Sequence, residues 1–142
     1  MSVRVIDTPL EPWREVAAFE ATQKFAGKVG AACVFVGTMR DYNQDTTVRS
    51  MVLEHYPAMT ERELEAIGNE AARKWTIEKW MVVHRHGALQ PSDPIVLVAA
   101  WSGHREQAFA ACRYIIEALK TRAPFWKQEQ TENGARWVER QT

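Results

Sequence analysis

Two lysines, Lys120 and Lys127, bracket the segment K-T-R-A-P-F-W-K-Q-E, and their surroundings suit proton or charge chemistry. A lysine beside large aromatics is partly desolvated, which lowers its pKa and makes it a candidate proton donor or nucleophile. Lys127 lies between Trp126 and Gln128, where period-2 alternation places Phe125, Lys127 and Glu129 on one strand face. Glu129 either tunes that lysine or neutralises it in a structural ion pair. Lys120 falls at the end of a helical stretch, where the helix dipole favours a cation, so a purely structural role is open to it as well.

Two more basic groups stand where anions bind. The run S-G-H-R at 102–105 opens a helix. Its free N–H groups and partial positive charge make His104 and Arg105 slightly unfavourable there unless an anion such as phosphate binds. The alternative is that Arg105 pairs with a carboxylate while His104 caps the helix. The run G-T-M-R closes an apolar stretch and delivers Arg40 to a loop mouth, where a sheet fixes the backbone and the loop opens to ligand. Gly37 would let a ligand or another backbone approach closely. Alone, Arg40 reads as an ordinary surface arginine after a core strand.

His84 and His86 of H-R-H share a strand face, with no cysteine or carboxylate at ligand spacing nearby. A structural or ligand-orienting role therefore suits them better than metal binding. Neither G-x-S-x-G, Walker A, G-x-G-x-x-G nor H-E-x-x-H occurs. Cys33 and Cys112 sit far apart in apolar runs and form no C-x-x-C pair, so both read as small buried hydrophobes.

The chain has 142 residues, 46% hydrophobic and 25% charged, with zero formal net charge. That suits one globular domain over 1–142 and leaves no global positive excess for nucleic acid. Any anion site must be a local basic cluster. The six tryptophans read as core and interface rather than a base-stacking platform. The start M-S-V-R-V-I-D-T does not read as a signal peptide, and no run reaches the ~18 apolar residues of a membrane span. The expectation is a cytoplasmic chain with no membrane segment, no metal and no cofactor.

The elements that must position these residues follow from periodicity. Strands are predicted over 2–7, 30–40, 48–56, 77–86 and 95–101, with 30–40 and 48–56 able to form a hairpin across the D-Y-N-Q-D-T loop. Helices are predicted from Pro12 to about Phe25, from Pro57 onward, and from His104 to Thr121. Thr60 and Glu63 have capping-box spacing in the second, with Leu64, Ile67, Ala71 and Trp75 on one face. The third carries Phe109, Cys112, Ile116 and Leu119 as its buried stripe. F-W-K-Q-E-Q and A-R-W-V-E form a terminal hairpin turning on Asn133-Gly134. Hairpins alternating with about three helices favour a single α+β domain with mostly antiparallel strands over a parallel sheet.

In order along the chain, G-A-A-C-V-F-V-G-T-M-R, L-E-H-Y-P-A-M, H-R-H-G-A-L, H-R-E-Q-A-F and L-K-T-R-A-P-F-W-K-Q-E resemble the large, catalytic subunit of molybdopterin synthase over roughly residues 30 to 138. That resemblance implies an α/β hammerhead-type fold and a sulfurtransferase of molybdenum cofactor biosynthesis. Its substrate would be cyclic pyranopterin monophosphate, converted to molybdopterin by insertion of two dithiolene sulfurs. The sulfur donor would be the Gly-Gly thiocarboxylate tail of a small ubiquitin-like subunit, and the assembly a homodimer within a heterotetramer. Matched position by position, Lys120 and Lys127 are the implied catalytic lysines. Thr38, Met39 and Arg40 form the substrate-binding strand end, His104 and Arg105 an anion-binding pair given across the dimer interface, and Gln128 and Glu129 the rest of the binding strand.

Three departures from the family pattern stand out: Gln128 where a second lysine is frequent, Y-N-Q-D-T in place of a tight N-x-G turn after Arg40, and Q-P-S-D-P where Gly-Glu is usual. The rival readings are a non-catalytic scaffold that docks a ubiquitin-like partner, and an unrelated phosphate-ester enzyme. The lysines speak against the first; the lack of an evident metal site or nucleophile speaks against the second.

Overall fold

The computed structural model describes residues 2–138. In chain order its elements are β1 (Val3–Ile6), α1 (Pro12–Thr22), β2 (Ala31–Thr38), β3 (Tyr42–Asn43), β4 (Thr46–His55), α2 (Met59–Lys74), β5 (Lys79–Arg85), β6 (Gly87–Leu89), β7 (Pro94–Ser102), α3 (Arg105–Arg122), β8 (Phe125–Thr131) and β9 (Gly134–Val138). The expected α+β class is what the chain adopts. Among the described residues no helix is long and apolar enough to cross a membrane.

One sheet runs β1-β5-β7-β2, with β1 parallel to β5 and the other neighbours antiparallel. β7 occupies an interior position, which explains its unbroken apolar run I-V-L-V-A-A-W, buried on both faces. On one face Val82 and Val98 meet Leu64 and Ile67 of α2 and Ile115 and Leu119 of α3. On the other, Val83, Leu97 and Trp101 meet Val16 and Phe19 of α1. Gly68 of α2 admits the Trp80 indole, because a Cβ there would lie 2.2 Å from that ring. Alanine's better helix propensity is given up for this packing.

The second sheet runs β3-β4-β8-β9, with β6 also paired to β4. Met39, Val48, Met51, Leu53 and Leu89 form its own core. α3 hands the chain from the first sheet to β8 of the second, and its last turn is tied to α2. Arg122 donates Nε to Glu63 at 2.7 Å and Nη1 and Nη2 to Glu70 at 2.6 and 2.9 Å. With Tyr114 OH also donating at 2.6 Å, the Glu70 carboxyl is held down at about 2, chiefly by Arg122 and then by Tyr114. Lys120 therefore sits on a fixed helix end.

Several local expectations change. β4 does not form a hairpin with β2: the two lie in different sheets, and β4 pairs with β3, β6 and β8. The supposed loop after Arg40 contains β3 and a two-residue turn, Gln44-Asp45, with φ of 53° and 60°. This is the doubly left-handed geometry of a tight hairpin, reached without glycine. α2 begins at the Ala58 cap, whose N–H bonds Glu61; Thr60 lies inside the helix and donates its hydroxyl back to the Tyr56 carbonyl at 2.9 Å. In α3 the buried stripe is Ala108, Ala111, Cys112, Ile115, Ile116 and Leu119, while Phe109 is 63% exposed. The small alanines fill the helix–sheet contact that the reading by bulk assigned to Phe109. In the terminal hairpin the turn residues are Glu132 and Asn133, with Gly134 opening β9 opposite Thr131; Glu139, expected to extend that strand, lies outside the described residues.

Candidate active site

Between the sheets and the end of α3 lies a cavity of about 280 Å³. Its walls are mostly apolar, from Phe35, Met39, Met51, Leu53, Leu119 and Phe125, and its charged lining is Arg40, Lys120, Lys127 and Glu129. Three cations against one carboxylate suit an anionic ligand.

Lys120 arrives from the last turn of α3, where the helix dipole tolerates its charge. Its pKa is lowered first by burial, then by Lys127 and Arg40. Lys127 comes from β8, on the face that alternation assigned to it, with Phe125 and Glu129. Burial lowers its pKa as well; Glu129 raises it, and Arg40 and Arg136 lower it further. The two lysines thus have different company. Lys127 Nζ lies 3.1 Å from Glu129 Oε2, whereas the charges acting on Lys120 are other cations.

Glu129 is 1% exposed, and its ionised form is kept by three donors. Besides Lys127 these are Arg136 Nε at 2.8 Å to Oε1 and Asn43 Nδ2 at 2.9 Å to Oε2. Burial pushes its carboxyl up, but the bonds from Lys127, Arg136 and Asn43 outweigh that and the pKa is lowered overall. Arg136 also donates Nη2 to the Asn43 carbonyl at 2.7 Å, so the β3–β4 turn, β8 and β9 are joined through one carboxylate.

Thr38, Met39 and Arg40 reach the cavity at the end of β2, after a register shift between Gly37 and Thr38. The Q-P-S-D-P turn fixes this end: Met39 N–H donates to the Asp93 carbonyl at 2.9 Å, and Ser92 N–H to the Met39 carbonyl at 2.8 Å. The turn at 90–94 therefore anchors the strand end through its backbone. Arg40 lies over the Tyr42 ring at 4.9 Å, on the β3–β4 hairpin. Gly37 is needed for its own neighbours: a Cβ would lie 2.9 Å from Val96 and 3.3 Å from Phe35.

Two groups of expected site residues are not brought into this cavity. Gln128 sits on the other face of β8, between Val52 of β4 and Trp137 of β9. Its alternation with Lys127 and Glu129 required that. His104 and Arg105 open α3 at the end opposite Lys120, about 22 Å away at 1.5 Å per helical residue. Neither takes the structural alternative, since His104 makes no side-chain capping bond and Arg105 forms no ion pair among the described residues.

Asn43, Arg136, Tyr42 and Trp126 were not singled out from sequence. Only Trp126, adjacent to Lys127, carried a visible signal. The others depend on pairing across the fold, Asn43 and Glu129 being 86 residues apart in sequence. Cys33 and Cys112, distant in sequence, are neighbours in the fold. Cys112 is buried on α3 and its thiol donates to the Val98 carbonyl at 3.7 Å; burial first, then the neighbouring Cys33 of β2, pushes that thiol up to about 12. Such a thiol holds almost no thiolate at neutral pH. Among the described residues no group of three or more His, Cys, Asp or Glu side chains is arranged to hold a metal ion.

Residues 7–122 match a family model described as "MoaE: MoaE protein". A "Molybdopterin synthase catalytic subunit" of Ralstonia nicotianae is 47% identical over 138 residues, covering 97% of this chain and 77% of that one. Two solved structures superpose on the fold. A "Molybdopterin biosynthesis MoaE protein" from Burkholderia ambifaria has a TM-score of 0.82 at 46% identity, covering 99% of this chain and 91% of that one. A "Molybdopterin Synthase" from Staphylococcus aureus has a TM-score of 0.85 at 33% identity, covering 97% of each.

Proposed function

The chain belongs to the MoaE protein family, and from that premise we propose that it is the catalytic subunit of a cytoplasmic molybdopterin synthase. As such it is a sulfurtransferase that converts cyclic pyranopterin monophosphate to molybdopterin. The domain spans 1–142, forms a homodimer, and works in a heterotetramer with a small ubiquitin-like subunit bearing a C-terminal Gly-Gly thiocarboxylate. The observation that carries this reading is the placing of two partly desolvated lysines beside Arg40 in one apolar-walled cavity.

Arg40 and the lysines attract the substrate phosphate and the partner's anionic tail. Sulfur arrives already activated as a thiocarboxylate, so a reactive cysteine in this chain is unnecessary, in keeping with the raised Cys112 thiol. As each new C–S bond forms, a C–O bond of the substrate breaks and negative charge moves onto the departing oxygen; water then cleaves the acyl–sulfur bond, leaving the sulfur on the pterin and the partner's tail as a carboxylate. Lys120, lowered by burial and surrounded by cations, is suited to give that oxygen a proton. Lys127, held by Glu129, stays charged and stabilises the transition state electrostatically. His104 and Arg105 extend the phosphate grip from the second copy of the chain. Gln128, on the outer face of β8, contacts the partner rather than the pterin.

The test is conversion of the cyclic substrate by purified protein with thiocarboxylated partner, followed across pH. Dithiolene product should form, and the rate should fall on the alkaline side at a pH below 10.5, the ordinary lysine value, because burial lowers both lysines from it. Absence of product with a competent partner sinks the assignment. An alkaline limb at or above 10.5 removes the lysines from the protonation steps.

A further inference from the structure

Arg136 of β9 does not line the cavity and takes no part in the steps above. It lies directly opposite Glu129 in the β8–β9 register, and its Nε donates to Glu129 Oε1 at 2.8 Å. The other carboxylate oxygen, Oε2, accepts from Asn43 Nδ2 at 2.9 Å and lies 3.1 Å from Lys127 Nζ. A carboxylate only accepts, so the Asn43 amide nitrogen must face it. A guanidinium is a rigid fork, so its second contact aims the first: Arg136 Nη2 donates to the Asn43 carbonyl at 2.7 Å. Asn43 thus binds Glu129 through its side chain and Arg136 through its backbone, closing a ring around the carboxylate.

The charges matter as much as the bonds. A lysine and a glutamate paired alone in one wall present little net charge to an anion. Glu129 is 1% exposed and the Arg136 side chain 28%, so the carboxylate is held between a cation at the cavity and a cation nearer solvent. Arginine stays charged at any working pH. Burial lowers the Lys127 pKa; Glu129 acts against that, while Arg40 and Arg136 add to it. The other titratable or charged groups at the cavity are Lys120, Arg40, Tyr42 and His84, whose imidazole burial holds down at about 3 and so neutral.

We infer that Arg136 is a positioning residue for Lys127: it holds Glu129 by Oε1 and limits how far that carboxylate cancels the lysine's charge. Without Arg136, Glu129 would turn wholly to Lys127, and the wall would meet an anionic substrate with a neutralised pair. Glu129 orients the ammonium, and Arg136 preserves its field. The role of Lys127 is taken from the proposed function; the sharing of Glu129 does not depend on it.

Arg136→Gln and Arg136→Lys separate charge from bonding. Glutamine places an amide nitrogen where Arg136 Nε stands and drops the charge; lysine keeps the charge and gives up the fork. The readouts are the Lys127 Nζ titration by NMR in substrate-free protein, assigned with Lys127→Met, and kcat/KM with the cyclic substrate and thiocarboxylated partner. Arg136→Gln should raise the Lys127 midpoint by about one pH unit and lower kcat/KM about tenfold. Arg136→Lys should return both toward wild type. A role confined to bonding predicts the reverse order, with glutamine intact, lysine impaired and the Lys127 midpoint unmoved in Arg136→Gln; that result overturns the inference. Should either variant fail to fold, the Arg136 Nε resonance of the unaltered protein decides. It should shift as pH is raised through the Lys127 midpoint, and a resonance that stays fixed there overturns the inference. The titrations need no substrate, so an inactive wild-type protein would count against the proposed function alone.

Discussion

Lys120→Ala is expected to lower dithiolene formation by about 10³-fold, since the residue supplies the proton to the departing oxygen. The same position should show that the lysine is held for chemistry at the expense of stability. Its folded pKa is lowered below the unfolded value of 10.5. Below the folded pKa the lysine is charged in both states, and the fold carries the full cost of burying that charge. As pH rises through the folded pKa toward 10.5 the unfolded chain binds more protons, so stability increases. Lys120→Met, which keeps the apolar stem and removes the charge, should therefore melt no lower than the wild type at neutral pH, and higher if repacking is good. Calorimetry beside the conversion assay checks both halves. A Lys120→Met protein that is active, or clearly less stable, contradicts this account.

Glu129→Ala should have the opposite profile, with stability the larger casualty. The substitution leaves Lys127, Arg136 and Asn43 without the acceptor they share, two of them charged. Removing one member of a buried pair costs roughly 3 kcal/mol or more. For a chain of this size that is a melting temperature lower by about 10 °C. Glu129→Gln, which keeps an acceptor for Asn43, should lose less. Because the Glu129 pKa is lowered in the fold, its contribution is present above the unfolded value of 4.5 and is lost as pH falls through the folded value. The gap between wild type and Glu129→Ala should therefore close in acid, as melting curves at several pH values would show. Activity should fall as well, since Lys127 loses the group that raises its pKa.

Much of the site was legible because its parts are local. Lys120, Lys127 and Glu129 lie within one helix end and one strand, and simple alternation put the last two on one face. The same alternation, applied to Gln128, places it outside the cavity. The terminal hairpin and the three helices could be drawn from turn residues and period. What could not be drawn was pairing across distance. Period 2 shows that β4 is a strand with one buried face, but not that β8 rather than β2 lies beside it. The Asn43–Glu129–Arg136 cluster depends on that choice. Phe109 was misplaced for a different reason, because helix–sheet contacts on α3 are made by small alanines. The neutral state of His84 depends on burial, which H-R-H does not encode.

The central claim is that this cavity passes sulfur from a partner's thiocarboxylate to the pterin without using the chain's own thiols. It is tested most directly by loading the partner with a heavy sulfur isotope and measuring the masses of product and protein after turnover. Product labelled at both dithiolene sulfurs, with Cys33 and Cys112 unlabelled, is the expected result. Unlabelled product, or label resting on Cys33, would contradict the account.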